Sequence, residues 1–288
     1  MRHSLAALAG LLLFGLAGTS ALADQMKVEK CPDGKFADGR ERAGNSRHCV
    51  VIRRLAPDAT TVSTPTARAR FKVLVVFLHG DNGGRIELKA DSGTTAMLTE
   101  KLQAVTIAIQ RPGYRSELGV SDGQSGPGDD DYTPENVEIV ASALGNLRRL
   151  NFDKKILLVG HSGGAAMAAL LASRFPGSAD AYLLAACPCD VPAWRQWRAG
   201  SAGKKGTWTS LSPLAEAGKV PPGSLVSLVV GNKDENTLPL FSESYARALQ
   251  ARGLKTRVTY AMNATHVSVL RSPEFLMLAG ELVETLSK

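Results

Sequence analysis

Histidine is scarce in this chain, with five among 288 residues. Any chemistry that needs an imidazole is therefore limited to His3, His48, His79, His161 and His266. Long apolar runs are missing beyond the N-terminus, so no membrane span and no stable membrane anchor are expected in the body of the chain. Cysteine is limited to Cys31, Cys49, Cys187 and Cys189. Cys187-Pro188-Cys189 has no further Cys or His close by, which is poor zinc spacing, so no metal is expected. No internal repeat and no nucleic-acid motif is present, which argues against a nucleic-acid partner. The net charge of +7 is dispersed, with mild clusters at Arg40–Arg42, Arg68–Lys72 and Lys204-Lys205, and reads as a soluble basic surface.

The N-terminus has a targeting pattern. Arg2 and His3 precede an apolar core, Leu5–Leu16, and Ala21-Leu22-Ala23 is a small-x-small cleavage site. Met1–Ala23 is expected to be a secretory signal peptide, placing the mature chain in the periplasm or outside the cell. An even cysteine count in an exported protein favours disulfides. Cys31–Cys49 would close a loop over a polar segment, and Cys187–Cys189 would be a second, local bridge.

Residues 24–70 read as an N-terminal extension: irregular over Asp24–His48, a first strand at Cys49–Leu55, then a linker or weak edge strand over Ala56–Arg70. From Phe71 to the C-terminus the chain alternates. Strands are expected at Phe71–Leu78, Val105–Gln110, Ile156–Val159, Ala181–Ala186, Leu225–Val230 and Thr256–Tyr260. Helices are expected at Ile86–Leu102, Pro134–Leu150, Gly163–Arg174, Leu240–Arg252 and Pro273–Leu286, with a long loop at Arg111–Tyr132. The strands are unbroken runs of Val, Ile and Leu, which implies an α/β fold with a mostly parallel sheet covered by helices on both faces. Pro188–Gly223, with Trp194, Trp197 and Trp208, interrupts this order and reads as a short cap or insertion after the sixth strand. Right-handed crossovers bring the carboxyl ends of the strands to one edge, where ligands bind.

Lys155–Ala169 (KILLVGHSGGAAMAA) runs from strand to helix through Gly160-His161-Ser162-Gly163-Gly164. G-x-S-x-G between a strand and a helix holds a serine at a sharp corner with its hydroxyl presented. The glycines are expected to supply unusual backbone angles and room beside the serine. A second match, Gly119-Val120-Ser121-Asp122-Gly123, has no strand before it and no helix after it, so Ser121 reads as a loop residue. Serine needs a base to take its proton. His3 leaves with the signal, His48 lies in the extension, His79 ends a strand, and His161 adjoins the serine in sequence. His266, in the loop before the last helix, is the expected base. The base needs a carboxylate: Asp234 is the first choice, directly after a strand, with Glu235 beside it and Asp190 further off. Two N–H donors would hold an oxyanion, one from Gly163 and one from the backbone of Asp81 or Asn82.

The elbow at Ser162, His79-Gly80, the loop Arg111-Pro112-Gly113-Tyr114-Arg115-Ser116, the late Asp234 and the final His266 together resemble the α/β-hydrolase superfamily from about Phe71 onward. The Gly231…Asp234-Glu235-Asn236 turn and the Ser242…Tyr245…Leu249…Gly253 helix are similar to its dienelactone-hydrolase and prolyl-oligopeptidase-like branches. A proline usually follows the acid by four residues there. Pro239 follows Glu235 by four and Asp234 by five, so both acids stay open. The resemblance implies a serine hydrolase acting on a small ester or a short peptide without an organic cofactor. An acyltransferase on the same residues and a non-catalytic binding protein are the other classes, and the oligomeric state is left open.

Overall fold

A computed structural model of the chain describes residues 31, 41–57, 71–88, 93–125, 131–202 and 209–288. Met1–Ala23, the linker residues 58–70 and Trp208 lie outside the described residues.

Eight strands form one sheet: β1 (Glu41–Gly44), β2 (Cys49–Leu55), β3 (Val73–Leu78), β4 (Val105–Ile109), β5 (Lys155–His161), β6 (Ala181–Ala185), β7 (Leu225–Gly231) and β8 (Arg257–Ala261). Their spatial order is β1-β2-β4-β3-β5-β6-β7-β8. The β1–β2 and β2–β4 pairs are antiparallel; all pairs from β4 to β8 are parallel. The helices are α1 (Gly93–Leu102), α2 (Pro134–Leu150), α3 (Gly163–Arg174), α4 (Val191–Ala202), α5 (Pro213–Glu216), α6 (Pro239–Gln250) and α7 (Pro273–Ser287).

The period of two in β3 shows why helices must cover both faces. Leu74, Val76 and Leu78 pack with Val137, Val140 and Leu144 of α2 and with α3. Val73, Val75 and Phe77 point the other way, into a core with Leu98 and Leu102 of α1 and Phe275, Leu278 and Leu282 of α7. Each fully buried Val or Leu contributes about 1.5–3 kcal/mol, so neither face of this strand can be left to water. Two helix starts are fixed by side-chain caps and proline. Thr133 accepts from Asn136 N (3.2 Å) ahead of Pro134, and Ser272 accepts from Phe275 N (3.1 Å) ahead of Pro273.

The structure departs from the sequence reading at three places. Glu41–Gly44 is a strand, although Asp24–His48 reads as irregular. It turns back onto β2 through Asn45, whose Oδ1 accepts from Arg47 N and His48 N, and the Cys31–Cys49 disulfide lies beside this turn. Helix α1 begins at Gly93, not at Ile86. Ile86 N instead donates to Arg115 O, and Leu88 N donates to the Glu117 carboxylate (3.2 Å), so this stretch follows the next loop. That loop holds a two-residue ladder between Arg115–Ser116 and Gly119–Val120.

Candidate active site

All the strand ends that matter open on one edge of the sheet: β3 into His79–Asp81, β4 into Arg111, β5 into Ser162, β7 into Asp234 and β8 into His266. Ser162 stands between β5 and α3 with φ 52° and ψ −122°. Such backbone costs on the order of 1–3 kcal/mol and persists only when its surroundings fix it. Here Ser162 N donates to Ala185 O (2.9 Å), while Ser162 O accepts from Ala165 N (2.8 Å) and Ala166 N (3.1 Å). The positive φ falls on the serine itself; Gly160, Gly163 and Gly164 do not carry one. What they supply is clearance. A Cβ at Gly160 would sit 2.3 Å from Gly164 O, at Gly163 2.0 Å from Asp81 Oδ1, and at Gly164 2.2 Å from Leu78 O.

Asp234 is buried in the turn after β7. Its Oδ1 accepts from Asn236 N (2.9 Å) and Thr237 N (2.8 Å), and its Oδ2 meets His266 Nδ1 at 2.8 Å. The turn thus aims one oxygen at the histidine and leaves Nε2 toward the cavity. Glu235 is exposed. Asp190 sits at the start of α4, accepting from Ala193 N (3.3 Å). Of the three acids, Asp234 is the one brought to His266. Ser162 and His266 line one cavity of about 580 Å³, and among the described residues no hydrogen bond joins them.

Asp81 and Gly163 lie side by side beneath the serine. Among the described residues neither backbone N–H is taken by a protein acceptor, whereas Asn82 N donates to Tyr114 Oη (3.2 Å). The Asp81 carboxylate is tied down on both oxygens, by Arg111 Nη1 (2.8 Å) on Oδ1 and by Tyr132 Oη (2.6 Å) on Oδ2. Arg111 is wholly buried and also bonds Asp131 (2.8 Å). Burial disfavours its charge, but the Asp131 and Asp81 carboxylates outweigh that and raise its pKa. Tyr132 stays protonated, pushed up by burial and by Asp81.

Two histidines act here in ways the sequence reading missed. His79 Nε2 accepts from Arg111 N (3.0 Å), so its Nδ1 carries the proton and donates to Gly80 O (2.8 Å). Burial and the Arg111 charge hold its pKa down at about 3. His161 Nε2 donates to His266 O (2.8 Å), propping the loop that carries His266, and burial lowers its pKa to about 4, with His266 adding to the fall. Both imidazoles are neutral supports. Gly80 gives the only sequence-level hint of this crowding: a Cβ there would lie 3.1 Å from both His161 Nδ1 and Ser162 Cβ.

The roof of the cavity comes from α4. Trp194 is buried and donates its indole N–H to Asn236 O (3.1 Å); Arg195 stacks on it, guanidinium carbon 4.6 Å from the ring centroid, and Arg198 lies one turn on at the rim. Trp197 packs against the core. A disulfide joins Cys187 to Cys189 between β6 and α4. Among the described residues no group of three or more His, Cys, Asp or Glu is placed to hold a metal ion, and no helix is long and apolar enough to cross a membrane.

Residues 75–200 match the sequence model of the alpha/beta hydrolase family. No curated protein matches the chain by sequence. Among solved structures, the esterase PE8 is 17% identical and superposes with a TM-score of 0.56, covering 82% of this chain and 99% of its own. The proline iminopeptidase of Mycobacterium smegmatis is 13% identical with a TM-score of 0.61, over 86% and 98% of the two chains. The acylaminoacyl peptidase of Pyrococcus horikoshii is 14% identical with a TM-score of 0.60, over 85% of this chain and 40% of its own. At such identities the likeness is one of fold. Sheet order, strand-end geometry and the family match over residues 75–200 agree: the chain has the α/β-hydrolase fold.

Proposed function

We propose that the protein is an exported serine hydrolase that cleaves a carboxylic ester through an acyl-enzyme. The observation that carries this reading is the His266 Nδ1 to Asp234 Oδ2 contact of 2.8 Å, set in the cavity that Ser162 lines. In this reading Ser162 Oγ attacks the carbonyl carbon and His266 Nε2 takes its proton. Asp234 fixes the histidine tautomer and stabilises the imidazolium. The hydrogen bond from Ser162 to His266 forms when substrate arrives, since catalytic hydrogen bonds are commonly completed only in the substrate complex. The Gly163 and Asp81 N–H groups then receive the oxyanion, each worth about 10²–10³ in rate. His266 returns the proton to the leaving oxygen, and water releases the acid by the same steps in reverse.

An ester is favoured over a peptide because α4 and the loops around it cover the cavity within one domain; a short peptide is the second reading, supported by the two peptidases of like fold. Two disulfides and the apolar N-terminal run support export. The test is labelling of the purified protein with a fluorophosphonate probe beside Ser162→Ala. Labelling lost in the variant supports the reading; a folded wild type that stays unlabelled overturns it.

A further inference from the structure

A second space opens beside the cavity that holds Ser162. Asn82 and Ile86 line both, so the two spaces meet across this ridge. The second has a volume of about 550 Å³, close to that of the first. Its walls are knitted by backbone groups. Ile86 N donates to Arg115 O (3.0 Å), Arg115 N donates to Gly84 O (2.9 Å), and Leu88 N donates to the Glu117 carboxylate (3.2 Å). The ridge is pinned as well: Asn82 N donates to Tyr114 Oη (3.2 Å) and Asn82 Nδ2 to Arg85 O (2.9 Å).

Charge of both signs borders this second space. Arg85 and Arg115 line it together with Glu87 and Glu117, and all four residues are exposed. Among its described lining residues Ile86 alone is apolar. An alkyl chain laid here would strip water from guanidinium and carboxylate groups without replacing those hydrogen bonds. A charged ligand would meet its own sign on the wall as well as the opposite one. A neutral group that both donates and accepts hydrogen bonds suits both kinds of partner.

Strand order says which part of a substrate reaches this space. Ser162 follows β5; His266 follows β8 on one flank of it, while Asn82 and Arg115 follow β3 and β4 on the other. In the serine-hydrolase reading the leaving oxygen turns toward His266, which returns its proton. The acyl portion then runs the other way, over Asn82 and Ile86.

We propose that the space beyond Asn82 and Ile86 is an acyl subsite for an uncharged, hydrogen-bonding chain, one that carries hydroxyl or amide groups past the scissile carbonyl in place of bare methylenes. Arg85 and Arg115 donate to the oxygens of that chain, and the carboxylates of the same wall accept its O–H or N–H groups. The inference rests on the serine-hydrolase reading for the direction of the acyl chain; binding in the space itself does not depend on it.

The test has two arms. In the first, kcat/KM is measured for the ethyl esters of hexanoate, ω-hydroxyhexanoate and N-acetylglycylglycine, each divided by its rate of hydrolysis by hydroxide alone. The wild type should prefer one or both polar esters over the hexanoate by about tenfold. That preference should collapse in the double variant Arg85→Leu, Arg115→Leu, while Arg115→Gln alone, which keeps a donor, should retain part of it. Which polar ester leads tells hydroxyl from amide. Equal rates for all three esters, or a preference that survives the double variant, overturn the proposal and leave the serine reading standing. In the second arm, isotope-labelled Ser162→Ala is titrated with N-acetylglycylglycinamide, with ω-hydroxyhexanamide and with hexanamide, following backbone amide signals by NMR. Saturable shifts at Ser116 and Glu117 with either polar probe, and weaker ones with hexanamide, support the subsite even if no ester is cleaved. The absence of such shifts with both polar probes overturns it.

Discussion

Two five-residue segments of this chain read G-x-S-x-G, and the fold uses them in opposite ways. Around Ser121 the glycines take the positive φ, 125° at Gly119 and 93° at Gly123, and the serine does not. Its hydroxyl is consumed: it donates to Gln110 O (2.8 Å) and accepts from Val51 N (3.0 Å) and Gln110 Nε2 (3.2 Å). Ser121 thereby carries the sheet ladder past the end of β4. Around Ser162 the serine takes the positive φ and the glycines only stand clear. No protein acceptor or donor occupies its hydroxyl among the described residues. A serine is available for chemistry when the backbone, not the side chain, fastens it.

The sharpest way to break this contrast is substitution at the two serines. Ser162→Ala should lower ester turnover by at least about 10⁴ while the melting temperature is kept, measured by steady-state kinetics and calorimetry. Equal losses from both serines would show that neither hydroxyl is special. Next in size is Asp234→Asn, which should cost about 10⁴ in kcat by leaving His266 in the wrong tautomer; Glu235→Gln, beside it but exposed, should leave kcat unchanged. Reversed results would move the acid to Glu235.

The floor beneath Ser162 can be tested through stability. Arg111→Met strands the Asp81 and Asp131 carboxylates in a buried site and should destabilise the fold by about 3–5 kcal/mol in urea titration. Adding Asp81→Asn and Asp131→Asn should restore much of that loss. A smaller effect follows from acid. His79 and His161 are neutral in the fold with pKa values of about 3 and about 4, against 6.5 for a free histidine. The unfolded chain therefore binds more protons across this window. Stability is complete above about pH 6.5 and falls as the pH drops toward 4. At ~1.4 kcal/mol per pKa unit, His161 alone accounts for about 3 kcal/mol. His161→Gln keeps a donor for His266 O and should flatten this acid limb; an unchanged limb would place the protons elsewhere. The smallest change is Ser121→Ala, expected to cost about 1–3 kcal/mol by unpairing Val51 N, with fluorophosphonate labelling retained.

The fold was legible because its strands are apolar runs and its helices have an apolar face, and both signals are local. Ser162 was legible because its three glycines report contacts with nearby backbone that the sequence order already implies. His266 could be reached by elimination. For the acid the sequence favours Asp234, directly after a strand, while the four-residue spacing of Pro239 fits Glu235; what separates them in the fold is that the N–H groups of Asn236 and Thr237 turn onto one Asp234 oxygen and the other meets His266. The Arg111 network was invisible for a related reason, since its partners Asp81 and Asp131 lie thirty and twenty residues away. Strand β1 has little strand character of its own and exists because β2 offers it an edge. The end of the expected helix at Ile86 failed likewise, because Arg115 and Glu117 offered that backbone other partners.

Asn236 gives its N–H to the carboxylate that orients His266 and its carbonyl to the indole that seats Arg195. One peptide segment thus ties the Asp234–His266 pair to the roof of the cavity. If His266 is the base, as proposed, mutational drift toward a new substrate that reshapes Trp194 would act through the same turn that orients it. Changes on the two sides of residue 236 should therefore combine non-additively, and a library that varies them together will find routes that single-site scanning misses.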